Sequence, residues 1–206
     1  MPLIKEIHIG KGLLLLWEIT EELEWLEQQF PHLASDETFI SLKNKKRQRE
    51  WLAVKMMLKH IGCKDFNVYY NENYQPQINH KSYPYISISH SKKMAGILIH
   101  PTNSVGLDIE SLDRNFIQVE KKYLSTKEIE LAHQAENRHC LFWCAKEAIY
   151  KMAGIPGLHF AEQIILNVTN KNELIAELIA DKKNNTFQLD YIQYDRQLVV
   201  FLIDNQ

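Results

Sequence analysis

The sequence has only seven glycines and six prolines in 206 residues. A glycine-rich phosphate loop of the Walker or dinucleotide kind does not occur, so a nucleotide-binding site of that type is excluded. There is no Pro/Gly-rich or low-complexity linker that would divide the chain into loosely joined parts. Cysteine is scarce and odd in number: Cys63, Cys140 and Cys144. With no secretory signal visible, a reducing, cytoplasmic setting is expected. Long hydrophobic runs are missing too. Leu13–Trp17 is far too short to span a bilayer, so no membrane association is expected. Nor does one sign of charge dominate. There are 24 basic and 26 acidic side chains, a formal net charge of −2, which argues against a nucleic-acid binder.

What is present is ordinary for a globular protein: 45% hydrophobic and 24% charged residues, enough for a core without staples. Gly12–Ile19 reads as a buried strand. Thr20, followed by two acids, predicts a helix start, with Leu23, Leu26 and Phe30 at helical spacing and Pro31 as its stop. A second helix is expected over about 44–60, ended by Gly62. Strands are expected at 66–70, 85–89, 94–100, 105–109, 164–168, 173–179, 187–194 and 198–203, with a turn at Asp195-Arg196. Ser125-Thr126-Lys127-Glu128 fits a capping box. A further helix is expected over 138–153, closed by Gly154 and Pro156.

The order strand, two helices, strand, hairpin occurs twice. This predicts an α+β fold made of two similar half-domains, 1–103 and 104–206, with a ligand cleft between them.

Three segments carry chemistry. In Gly106-Leu107-Asp108-Ile109-Glu110, strand alternation puts both carboxylates on one face and the two aliphatic residues on the other. Two readings stand: a solvated acidic face, or a pair of ligands for a hard divalent cation, which prefers oxygen. In the helix Phe142–Lys151, Glu147 and Lys151 are neighbours at i,i+4. They form either a surface ion pair or a third metal oxygen with a lysine for phosphate; Lys146 is a second phosphate candidate. Ser89-His90-Ser91 ends a strand at a turn, where a hydroxyl and an imidazole can meet a phosphate. Cys140 and Cys144 share a helical stripe and read as core rather than as zinc ligands with His139.

These segments, in this order, resemble the Sfp-type 4′-phosphopantetheinyl transferases. The Gly-x-Asp-x-Glu strand stands as Gly106–Glu110. The Trp-x-x-Lys-Glu-x-x-x-Lys helix stands as Trp143–Lys151. Ser89-His90-Ser91 matches as well, and Arg49-Glu50-Trp51-Leu52-Ala53 resembles the family's arginine-bearing helix. The resemblance implies the two-half fold of that family, with the active site in the cleft, and a monomer. It implies Mg²⁺ held by Asp108, Glu110 and Glu147 against the pyrophosphate of coenzyme A, with transfer to a serine of an apo acyl or peptidyl carrier protein. Glu147 or a metal-bound water takes the serine proton, and Lys151 meets phosphate in the transition state. Arg49, Gln75, Pro76, Ser89, His90 and Lys146 complete the coenzyme A contacts. Phe116 and Leu124, with Arg114, Lys121, Lys122 and Lys127, flank the region that docks the acidic helix of the carrier.

There are departures. The family's Gly-Lys-Pro loop stands here as Tyr74-Gln75-Pro76, which removes a cation and a glycine. The family's early lysines have no clear match; Lys43, Lys45 and Lys46 are the candidates. These departures keep a second reading open, a catalytically weak relative that binds coenzyme A or carrier protein.

Overall fold

The computed structural model describes residues 3–30, 32–63, 65, 67–169, 171, 173–180 and 183–204. Its strands form two antiparallel sheets. The first contains β1 (Leu3–Ile9), β2 (Gly12–Glu18), β3 (Val68–Tyr70), β4 (Pro76–Ile78), β5 (Tyr85–His90) and β6 (Met94–His100), in the order β1-β2-β6-β5-β4-β3. The second contains β7 (Val105–Ser111), β8 (Ile164–Val168), β9 (Leu174–Ala180), β10 (Lys183–Tyr194) and β11 (Gln197–Ile203), in the order β7-β11-β10-β9-β8. Set β1 aside and the two orders coincide: the first strand of each sheet pairs with its last, and the others follow backwards.

Each sheet also has its helices inserted after that first strand. The first has α1 (Leu23–Gln28), α2 (Glu37–Ser41) and α3 (Lys45–His60). The second has α4 (Glu120–Tyr123), α5 (Thr126–Ala132), α6 (Arg138–Ala153) and α7 (Phe160–Gln163). The fold is α+β, as the element order predicts.

Period-two alternation explains the stacking. On β2, Leu13, Leu15 and Trp17 pack with Ala53, Met57 and Leu58 of α3. Leu14 and Leu16, on the opposite face, pack with Leu107, Ile109, Val199 and Phe201 of the second sheet. On β11, Leu198, Val200 and Leu202 turn the other way, onto Cys144, Ala145 and Ala148 of α6. The layers therefore run α3, first sheet, second sheet, α6. A strand covered on both faces loses the polar half of its alternation, which is why residues 12–18 read as one apolar run.

Most element ends agree with the sequence signals. Asn44 caps α3 through Lys46 N, Ser125 and Glu128 form the full capping box of α5, and Gly154 ends α6 in the left-handed region at φ 61°. Helix α1 begins at Leu23 rather than just after Thr20; Glu22 takes the cap position without a side-chain bond. Pro31 and Phe66, expected to stop a helix and to start a strand, lie outside the described residues; the strand is seen as Val68–Tyr70. Strand β1 was not expected. Its Lys5, Glu6 and His8 give it a charged edge rather than an apolar pattern.

Candidate active site at the seam between the sheets

The site begins at Gly106. A Cβ there would sit 2.1 Å from the Ala148 carbonyl oxygen. Only a bare backbone lets α6 lie this close on β7. The close approach sets the stretch around Ala148 against β7, and with it Glu147 and Lys151 of α6 near Asp108 and Glu110.

Asp108 is the centre. Its Oδ1 accepts from Lys151 Nζ at 2.8 Å and from Ser89 Oγ at 2.9 Å. Lys151 also donates to the Leu107 carbonyl at 3.0 Å and to Ser89 Oγ at 3.1 Å. Asp108 is only 5% exposed, and its Oδ2 is buried with no hydrogen-bond partner among the described residues. Glu110 accepts from the Trp143 indole at 3.2 Å and from Arg114. Burial, and then the charge of Asp108, push Glu110 up to about 7. Burial, and then Asp108, also raise Glu147, against the opposing pull of Lys151. The charge of Asp108 thus reaches both glutamates and disfavours their ionised forms. With Lys151 holding Asp108 and Arg114 holding Glu110, their ligand oxygens do not all come within 4.8 Å of each other.

In donor chemistry, though not in their present spacing, three half-buried or buried carboxylates and an orphaned oxygen suit a hard dication, which would satisfy Asp108 Oδ2 and offset the repulsion.

The first sheet contributes through a serine stripe. Ser87, Ser89 and Ser91 alternate on β5 and the turn after it, facing β7 and β11. Ser87 Oγ accepts the Leu107 N–H at 3.0 Å, and Ser89 Oγ accepts the Ile109 N–H at 3.1 Å. Ser91 Oγ donates to the Gln197 side chain. Strand β7 pairs with β11 along its other edge, so the serines satisfy N–H groups that the ladder leaves free. Ser89 was expected to meet a phosphate. It is 5% exposed, and its hydroxyl is bonded to Asp108, Ile109 and Lys151.

His90 points away from these serines. Its Nε2 lies 3.1 Å from Arg47 Nη1 and its Nδ1 3.5 Å from Glu50. Burial, chiefly, lowers its pKa. Arg47, Glu50, Trp51, Tyr70, Ile88 and His90 all line a cavity of about 720 Å³. Arg47, rather than Arg49, is thus the arginine brought to His90. Arg49 is half-buried and has no hydrogen bond or ion pair to another described residue. The i,i+3 spacing of Arg47 and Glu50 is the signal that distinguishes the two. Lys46 pairs with Glu50 at 3.3 Å, while Lys43 and Lys45 are exposed.

Three other expectations need correction. Lys146 does not reach the seam. It is 0% exposed, and its ammonium is spent on Glu128, the Phe160 carbonyl and the Ile164 carbonyl, at 2.6–2.9 Å. It lies on the side of α6 that faces the protein interior. Phe116 and Leu124 are likewise core residues, 2% and 3% exposed, and cannot present a docking surface; Ile117 beside them is 51% exposed. Gln75 is also committed: its amide donates to the Lys151 and Met152 carbonyls at 3.2 and 3.3 Å, closing the C-terminal end of α6. Tyr74 takes φ 60° where the resembling loops carry glycine, and its ring is 83% exposed. Pro76 pairs with Tyr70 in the hairpin.

Residues 104–201, just under half of the chain, match a family model described as the 4′-phosphopantetheinyl transferase superfamily. The match spans β7 and α6, and so all three carboxylates and Lys151. No curated protein matches the chain.

Proposed function

We propose that this chain transfers 4′-phosphopantetheine from coenzyme A to a serine of an apo acyl or peptidyl carrier protein, in the Sfp-type manner, releasing 3′,5′-ADP. The observation that carries the reading is the gathering of Asp108, Glu110, Glu147 and Lys151 at the seam of two sheets of like topology. The superfamily match over residues 104–201 supports it. Residues 1–103 and 104–206 act as two halves of one monomeric, cytoplasmic enzyme.

Asp108, Glu110 and Glu147 would hold Mg²⁺, which when bound neutralises charge on the pyrophosphate. The remaining work falls to the chain's own side chains. Glu147 accepts the proton of the carrier serine as its oxygen bonds to the β-phosphorus and the bond to 3′,5′-ADP breaks. Lys151, anchored by Ser89 and the Leu107 carbonyl, brings a positive charge to the reacting phosphate. Arg47 and His90 supply donors for a terminal phosphate of coenzyme A, and Trp51 and Tyr70 offer apolar faces beside them. Exposed Arg114, Ile117, Lys121, Lys122 and Lys127 would offer contacts to the acidic helix of the carrier.

A second reading, a binding-only relative, has one observation behind it: Gln75 supplies no cation and is spent on α6. Product analysis separates the readings. The transferase releases 3′,5′-ADP only when an apo carrier is present. Binding of coenzyme A with no product against a panel of carriers favours the binding-only relative. Inorganic phosphate released without a carrier indicates a phosphohydrolase instead.

A further inference from the structure

A second group of ligating side chains lies away from the carboxylate seam. Glu120 opens α4, His133 closes α5, and His139 sits in the first turn of α6. Glu120 Oε2 is 2.9 Å from His139 Nε2 and 3.1 Å from His133 Nε2. The two imidazoles stand edge to face, with centroids 4.7 Å apart. One ligand atom from each residue falls within 4.8 Å of the other two.

A tetrahedral zinc ion with bonds of about 2.0–2.1 Å needs ligand atoms about 3.3–3.4 Å apart. The two edges that meet at Glu120 are already within a few tenths of an ångström of that. Glu120 and His139 have side chains 16% and 12% exposed, so their positions are fixed by packing. His133 is 52% exposed and leaves an open direction for a fourth, solvent ligand. Two imidazoles and one carboxylate form a donor set for zinc-like ions rather than for Mg²⁺, which takes oxygen.

We propose that Glu120, His133 and His139 bind one transition-metal ion of the zinc class. Each imidazole gives its Nε2 lone pair and carries its proton on Nδ1. The ion ties together α4, the end of α5 and the start of α6. His139 is eight residues, about 12 Å along the helix axis, from Glu147, so this ion is distinct from one at the seam. Its stiffening reaches the seam indirectly. Tyr123 of α4 packs edge-on against Trp143 at 5.1 Å, and Trp143 donates to Glu110.

The test is a titration of the full chain with Co²⁺, whose visible absorption reports tetrahedral imidazole ligation. One equivalent should produce the band in the wild type and in Asp108→Asn, and Zn²⁺ should bleach it. His133→Ala should lose the band. Its Zn²⁺ affinity should fall by more than the ~10–100-fold that loss of an outer partner costs. Because His133 is half exposed, this variant should keep its helical circular dichroism. As a second readout, Zn²⁺ should raise the Tm of the wild type and not of His133→Ala. The proposal is overturned if the wild type shows no band. It is equally overturned if the band survives in His133→Ala or disappears in Asp108→Asn instead.

Discussion

Glu110 shows how a single carboxylate reports on its neighbours. Its pKa is lifted from an ordinary 4.5 to about 7, by burial first and by Asp108 second. Between those two values the folded state holds a proton that the unfolded chain has released. Stability of the metal-free protein should therefore fall as pH rises through this window, then level off. Thermal melts in EDTA check this: the wild type should lose Tm across the window, Glu110→Gln should lose less, and Mg²⁺ should restore the wild type above pH 7. An identical pH profile for the two proteins would count against the crowding of charge at the seam. Lys146 makes the opposite case, a charge that looks functional in sequence and is structural. Lys146→Met should leave the KM for coenzyme A unchanged while costing about 3–5 kcal/mol of stability, because Glu128 is left buried without its partner. A raised KM at full stability would return Lys146 to the binding site.

At the scale of elements, the seam depends on two devices. Gly106 lets α6 touch β7, and Gly106→Ala should lower Tm sharply, since its Cβ would meet the backbone carbonyl of Ala148. Ser87 satisfies the Leu107 N–H, and Ser87→Ala should cost about 1–3 kcal/mol in a denaturant titration by leaving that donor buried and unpaired. Unchanged stability in both variants would mean that α6 and the first sheet can each shift freely against β7. The elements around these devices were legible for physical reasons. Strands covered on both faces read as apolar runs, and α6 and α5 carry their own stop and cap signals. What stayed hidden was local context. Strand β1 is a charged edge, α2 is a five-residue helix with its cap at Asp36, and β3 and β4 are three-residue strands. None of these is long enough to show a period. Within the site, alternation and helical spacing could place Asp108, Glu110, Glu147 and Lys151. They could not reveal that α6 turns Lys146 inward, or that Ser87 and Ser89 of β5 hold the free edge of β7. Both outcomes are set by how two elements meet, and neither element's sequence contains that.

For the whole molecule, the coincidence of strand order in the two sheets is the main architectural fact. Asp108 comes from the second sheet, and Ser89, which fixes it, comes from the first. Lys151 spans both, bonded to Ser89 and to Asp108. The site therefore exists only while the sheets are docked, and the apolar layer of Leu14, Leu16, Leu107, Ile109, Val199 and Phe201 docks them. The central claim is that this seam moves a phosphopantetheine arm. Its most direct test is the intact mass of an apo carrier protein after incubation with the chain, coenzyme A and Mg²⁺. The account predicts a gain of one phosphopantetheine on the carrier serine, abolished by EDTA and by Asp108→Asn. An unchanged mass across a panel of apo carriers at saturating coenzyme A would contradict it, as would a gain that Asp108→Asn leaves intact.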